Sequence, residues 1–421
     1  MGILVTIQAA AQENSPYSRY GLGNLINNQN VVSRAIGGVS QAYGDAQTIN
    51  FINPASYANI QLTTLDLGLE GSMTSISDQT RKFQSGNGTL SFLQLGFPLK
   101  QGSGWGLSFG LIPMTRVNYN IQQTDSLPGI SKVAYLYQGN GGTYEAYIGT
   151  GYAIKNLRIG VNAGYFFGNI QNSTQAIYPT DSNYIFNTNS ASTLSIGGLF
   201  WNAGLQYDAR LSKNLWMQLG ATGNLQQNLA AKRSELRETI TSSGDPTNPL
   251  PVNQDTAFYS SGNKGTIVYP MQMGFGIFLH DATRWSFGVD YTLGKWSNYR
   301  NYKQVDSSVN DNWKLSLGGQ YTPNITSLTA GYLARITYRA GFYYGKDYVY
   351  YSGRNLPTYA FTFGFGFPMR HDPRTFQYTL INTSFEIGKR GDQSSPITEN
   401  FFRFTLGFSL NDRWFIKRKF Q

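Results

Sequence analysis

Segments of about ten residues, in which apolar side chains alternate with small or polar ones, recur along this chain from Thr63 almost to its end. Successive side chains of a strand point to opposite faces, so this two-residue period marks strands with one apolar face and one mixed face. Two late segments are the clearest. In Ala360–Pro368, Phe361, Phe363, Phe365 and Phe367 interleave with Thr362, Gly364 and Gly366. In Phe402–Leu410, Phe402, Phe404, Leu406, Phe408 and Leu410 interleave with Arg403, Thr405, Gly407 and Ser409. Comparable segments lie at 63–76, 88–99, 104–120, 132–153, 156–171, 194–209, 214–228, 264–280, 284–298, 311–322, 333–350, 358–369, 376–389 and 399–410. They predict an all-β fold, a transmembrane antiparallel barrel of about fourteen strands, an even number within the bacterial range.

The links between segments carry a second regularity. Lys100–Gly104, Ile154–Asn156, Arg210–Asn214, His280–Thr283 and Met369–Thr375 are short, whereas 172–193, 229–263, 299–310 and 351–357 are longer and polar. Short periplasmic turns alternating with longer external loops are what a barrel spanning an outer membrane shows; the link Pro323–Tyr332 is longer than that rule expects. Trp105, Trp216, Trp285, Trp296, Trp313, Tyr343 and Tyr344 stand near segment ends, where aromatic rings form interfacial girdles.

Composition narrows the alternatives. Charged residues are only 13% of the chain, while Gly (47), Tyr (29) and Phe (26) are abundant. The mean hydropathy of −0.32 fits a barrel that confines apolar surface to alternate positions, and no run approaches the ~18 apolar residues of a membrane helix. The net charge of +10 comes from Lys and Arg scattered along the sequence. That pattern argues for basic turns facing lipid phosphates and against a nucleic-acid track. Without cysteine, and with only His280 and His371, both in predicted periplasmic turns, the chain has poor means for a metal site or a catalytic triad. No catalytic residue, metal or cofactor is expected. Gly139–Gly142 lacks the strand-to-helix context and the Lys-Ser/Thr of a phosphate loop.

Residues 1–12 end in small residues at Ala9 and Ala11 after a short apolar stretch, and read as the remnant of a secretory signal or as an appended segment. Residues 13–62 lack the strand period and are punctuated by Gly, Pro and Asn; they are expected to plug the barrel as a hatch. The barrel is expected over 63–410 and a periplasmic tail over 411–421.

Within the hatch, Arg34-Ala-Ile-Gly-Gly38, Gly44-Asp45-Ala46 and Asn50-Phe-Ile-Asn-Pro-Ala55 resemble the N-terminal hatch of the FadL/TodX family, whose Asn-Pro-Ala signature corresponds to Asn53, Pro54 and Ala55. Ser18–Gly23, Lys155–Asn162 and Glu386–Gly391 are similar to the Bacteroidetes branch of such proteins. The resemblance implies a Gram-negative outer-membrane channel for hydrophobic small molecules such as long-chain fatty acids, gated by movement of the hatch. It also implies a gap in the wall at a kinked third strand, where Pro113 stands; Pro270 has a weaker claim of the same kind. A proline tolerated at a bulge near the rim explains Pro113 equally well.

Alternation assigns the inner face. With Leu65, Leu67 and Leu69 toward lipid, Asp66 and Glu70 point inward, as do Glu145, Arg158, Asp290, Arg335, Arg339, Glu386 and Arg403. The reverse would cost roughly 2–4 kcal/mol for each Arg at the midplane. Arg158, Arg335 or Arg339 would either bind a carboxylate head group or, with Glu386 and Arg403, tie hatch to wall through ion pairs. Ile49, Phe51, Ile52 and Tyr57 would line an apolar pocket or pack the plug. The expected partners are a hydrophobic small molecule or lipid, together with outer-membrane lipid and lipopolysaccharide. The rival reading is a non-transporting accessory barrel of an outer-membrane secretion or assembly complex, with a protein partner and a filled lumen.

Overall fold

The computed structural model describes residues 14–78, 80–127, 130–178, 186–243, 250–281, 284–324, 331–351, 353–369 and 378–413. The signal-like segment 1–12, His371 and most of the tail lie outside these residues. Fourteen barrel strands follow one another. They are β1 (Thr63–Ser77), β2 (Lys82–Lys100), β3 (Trp105–Leu127), β4 (Ile130–Ile154), β5 (Leu157–Ile177) and β6 (Asn187–Arg210). Strand β7 has two pieces, Leu215–Asn224 and Gln227–Ser243, as has β8, Leu250–Tyr269 and Gln272–Asp281. Then come β9 (Trp285–Gly294), β10 (Asn312–Tyr321), β11 (Thr337–Tyr351), β12 (Arg354–Pro368), β13 (Tyr378–Arg390) and β14 (Thr398–Asp412). Neighbours pair antiparallel, and β14 pairs with β1 from Thr398–Ser77 to Asp412–Thr63, closing the wall.

Alternation sorts the faces as expected. Leu65, Leu69 and Met73 of β1 are exposed, Met73 by 70%, while Asp66 between them is buried. An outward apolar band and an inward polar one are what a barrel in hydrocarbon requires. Trp105, Trp285 and Tyr344 stand on the outward face. Two rings depart from the girdle expectation: Trp296 is buried in a 3-10 turn (Trp296–Asn298), 4.4 Å from the ring of Tyr348, and Tyr343 is buried.

Two of the links expected to be external loops are largely strand. Gln227–Ser243 pairs with Leu250–Tyr269 as one long hairpin, so 229–263 is mostly ladder. Likewise β5 reaches Ile177 and β6 begins at Asn187. Beyond the membrane both faces of these strands are wet, so the apolar period that betrays a strand is missing. Link 299–310 carries the small hairpin Arg300–Asn301 with Gln304–Val305.

One seam interrupts the wall. Strands β2 and β3 pair only from Lys100–Trp105 to Leu93–Leu111. Two residues further on, a register shift between Pro113 and Thr115 bulges β3 against β4. Above the bulge the hatch supplies a partner: Asn24 and Leu25 pair with Arg116 and Thr115. The Ile26 N–H donates to the Met114 carbonyl at 3.1 Å, and that of Ser15 to Asn118 at 2.9 Å. Pro113 therefore marks an irregular seam that residues 14–26 occupy from within. Pro270 falls between the two pieces of β8.

The core lies inside the barrel. Val32, Ile36, Val39 and Tyr43 of the hatch pack on Phe278; Ile49, Phe51 and Tyr57 pack on Phe92, Ile112 and Tyr147. A third cluster gathers Tyr17, Leu22, Phe166, Tyr269 and Trp296 toward the outer end.

Candidate functional site in the lumen

The hatch has little regular structure, so its folding depends on local caps and on the wall. Asn30 caps the short helix Val31–Ala35, its Oδ1 accepting from the Ser33 N–H at 2.8 Å. Gly37 and Gly38, at φ +73° and +89°, turn the chain out of this helix. Asn53 caps a 3-10 turn, Pro54–Asn59, by accepting from the Ala55 N–H at 3.1 Å. The Asn53 amide donates to the carbonyls of Gln41 (2.6 Å) and Leu205 (3.1 Å), which joins hatch to β6. Asn53, Pro54 and Ala55 thus form a turn pressed on the wall, and Ala55 is fully buried.

The wall makes room for this backbone with glycine. A Cβ on Gly106 would lie 2.0 Å from the Tyr57 carbonyl oxygen, one on Gly160 2.3 Å from the Pro54 carbonyl carbon, and one on Gly341 2.2 Å from the Gly37 nitrogen. These contacts fall on β3, β5 and β11, on different sides of the barrel, so hatch main chain touches wall main chain around the lumen.

Charge completes the attachment. Arg34 is 2% exposed and pairs with Glu70 of β1. It also donates to Ser91 Oγ at 2.6 Å, to the Asn27 and Gln29 carbonyls at 2.7 and 2.9 Å, and to Thr405 Oγ1 at 3.4 Å. On the opposite side Asp290 of β9 accepts from the Ser40 and Gln41 N–H groups at 2.6 and 2.8 Å. Asp66 accepts from the Ile49 N–H at 3.3 Å and from Ser409 at 3.0 Å. Nearer the outer end, Arg390 meets Asp347 (2.6 Å), Glu399 (3.3 Å) and Asn24 (2.8 Å), and stacks over the Tyr17 ring. Burial pushes the Tyr17 phenol above its ordinary range, against the pull of Arg390. Charge-assisted bonds to buried backbone N–H groups contribute about 1.5–3 kcal/mol. Asp290→Asn, which keeps shape but loses charge, should therefore weaken hatch docking by about 1–2 kcal/mol, read as faster amide exchange at Ser40 and Gln41.

The residues expected to act together fall into separate places. Arg158 pairs with Asp208 and Gln206 near the short-turn end, within the wall. Arg339 donates to Asn382 and Gln320, also wall to wall. Glu386 accepts from Tyr343 and Arg403. Arg335 is half-buried on a 3-10 turn, Tyr332–Arg335, just ahead of β11, which starts at Thr337. Of the apolar set, Ile49 and Tyr57 pack the plug, whereas Phe51 and Ile52 border the open space. The main hatch cation, Arg34, was not among the expected site residues, although it is the only basic residue between Tyr20 and Leu62.

Above the hatch remains a cavity of about 410 Å³. Glu70, Glu145, Lys314 and Arg403 border it, with Phe51 and Ile112 beside them. His280, the next-to-last residue of β8, has its ring against the Asp281 carbonyl. No cluster of His, Asp or Glu able to hold a metal occurs among the described residues.

A family model described as BamG matches residues 1–421. The chain belongs to the BamG family. No curated protein matches it. Among solved structures, the toluene transporter TodX of Pseudomonas putida is similar, with 16% identity, 93% of this chain and 99% of that one covered, and a TM-score of 0.60. The toluene transporter TbuX of Ralstonia pickettii gives 14% identity, 92% and 99% coverage and 0.59. A FadL homologue of Pseudomonas aeruginosa gives 12%, 93% and 100%, and 0.53. This BamG-family chain thus shares the architecture of outer-membrane FadL-type barrels. The common element is the fold.

Proposed function

We propose that this BamG-family barrel is a plugged, non-transporting accessory subunit of an outer-membrane assembly or secretion complex. The observation that carries this reading is the filling of the lumen. Hatch main chain meets wall glycines on several sides, and buried charges on β1 and β9 hold it there. A hydrophobic solute would need a continuous apolar path, yet the remaining cavity is bordered by Glu70, Glu145, Lys314 and Arg403. Carrying an apolar molecule past a lining of charged side chains is unfavourable. The long hairpin of β7 and β8 adds exposed surface beyond the membrane for protein contact.

The second reading is hatch-gated uptake of a hydrophobic small molecule, such as a long-chain fatty acid. The likeness to the toluene transporters, the seam at Pro113, and Phe51, Ile52 and Ile112 at the cavity favour it. Arg158 and Arg339, already engaged within the wall, make poor head-group ligands on either reading. The stretches Ser18–Gly23, Lys155–Asn162 and Glu386–Gly391 support a Bacteroidetes origin.

The test is gentle extraction from native membranes followed by mass spectrometry of proteins and lipids. We expect a stoichiometric multiprotein assembly with no hydrophobe bound in the barrel. A solitary barrel holding a stoichiometric hydrophobe would overturn the accessory reading in favour of uptake.

A further inference from the structure

Exposed basic residues recur along the short-turn end of the barrel. At the short-turn end, among the described residues, the connections before β3, β5, β7 and β9 each present an exposed cation. Lys100 ends β2, Lys155 lies between β4 and β5, Arg210 ends β6 with Lys213 in the turn beyond it, Arg284 precedes β9, and Arg413 follows β14. Acids at this end are few and engaged locally. Asp208 takes Arg158, Asp281 accepts the Arg284 and Trp285 N–H groups, and Asp412 accepts that of Arg413. Among the described residues, Lys100, Lys155, Lys213 and Arg284 meet no carboxylate within salt-bridge distance. At the other end Lys295 pairs with Asp311 and Arg390 with Asp347 and Glu399, while Lys232 and Lys264 stand exposed on the long β7–β8 hairpin.

These cations sit beside the lipid-facing band. Trp105 follows the Lys100 turn, Tyr152 precedes Lys155 and Trp285 follows Arg284, all three rings being exposed on the outward face. The Arg210 guanidinium lies 5.4 Å from the Trp216 ring centre. Aromatic rings mark the level of the head groups, and cations just beyond them face the phosphates. A docked protein would cover one sector of the rim; here the cations recur around it, turn after turn.

We propose that the short-turn rim is a binding annulus for anionic phospholipid head groups of the periplasmic leaflet. Lys100, Lys155, Lys213 and Arg284 are its principal contacts. Each supplies a positive charge within a Debye length of the head-group phosphates, where attraction is strong and sensitive to salt. The annulus fixes the depth of the barrel in the membrane and enriches acidic lipid around it.

The full-length chain is reconstituted in phosphatidylcholine nanodiscs doped with phosphatidylglycerol, and the lipids retained on the released barrel are counted by native mass spectrometry. The rim variant Lys100→Gln/Lys155→Asn/Lys213→Gln/Arg284→Gln is compared with an opposite-end control, Lys82→Gln/Lys232→Gln/Lys264→Gln/Lys303→Gln. Protease resistance and heat-shifted gel migration establish that both variants fold. Wild type and control should retain phosphatidylglycerol in preference to phosphatidylcholine. The rim variant should lose that preference by at least about tenfold, given roughly fivefold per cation at low salt, and raised salt should reduce it in wild type. Equal retention by the two variants, or no preference in wild type, overturns the proposal. So does a rim variant that keeps its phosphatidylglycerol but loses a protein subunit in native membranes, an outcome that assigns the rim to a protein.

Discussion

Replacing Arg34 with methionine should release the hatch from the wall while leaving the barrel closed. The side chain fills its site with a similar volume, but the guanidinium that faces Glu70 and donates to two hatch carbonyls and to Ser91 is gone. Removing one member of a buried ion pair costs about 3–5 kcal/mol, because the partner stays desolvated. Arg116 and Arg403 border the same cavity as Glu70, so the lower figure is expected. About 3 kcal/mol corresponds to roughly a hundredfold loss of protection, measured by hydrogen exchange across residues 30–41. Replacing both partners, Arg34→Met with Glu70→Met, should recover most of the protection, since a buried pair is often matched by apolar residues of similar size. Unchanged protection in the single variant would show that the pair does not hold the hatch.

Gly341→Val should act from the wall side. The new Cβ would collide with the Gly37 nitrogen at 2.2 Å and the Ile36 carbonyl carbon at 2.3 Å, both main chain, so neither can swing aside. Overpacking of this kind costs about 1–3 kcal/mol, and here the simplest relief is displacement of the hatch. The expected result is protease cleavage within the hatch and ion conductance across a planar bilayer, where wild type conducts little. Gly71→Val is the matched control, because a Cβ there meets nothing within 4 Å. If Gly341→Val stays as resistant and as silent as that control, the main-chain contact does not seal the lumen.

Much of the wall was legible because lipid imposes a strict two-residue code. Ala360–Pro368 and Phe402–Leu410 read as strands, and Asp66, Glu145, Asp290 and Glu386 read as inward-facing, since no charge can face hydrocarbon cheaply. The code ends where the lipid ends. Lys232–Arg237 is strand in the structure but read as loop, because both of its faces are polar. Arg335, expected within a strand, lies instead on the turn that precedes Thr337. Trp296 and Tyr343 show that an aromatic near a segment end can turn inside to pack. The hatch was legible as a segment without period and through the resemblance around Asn53, Pro54 and Ala55; its attachments join residues hundreds of positions apart, as Arg34 and Thr405 do, and no local pattern encodes them.

Arg34 reaches β1 through Glu70, β2 through Ser91 and β14 through Thr405, while Arg390 and Glu399 hold Asn24 and Ser15 from β13 and β14. The earliest part of the described chain therefore finds its final partners on the last strands to be synthesised. Its docking cannot be complete until the two ends of the wall have met. A chain that stalls before β14 would leave the amino-terminal segment loose and open to proteases, and a finished one would lock it away, so the plug serves as a gauge of whether the cylinder has shut.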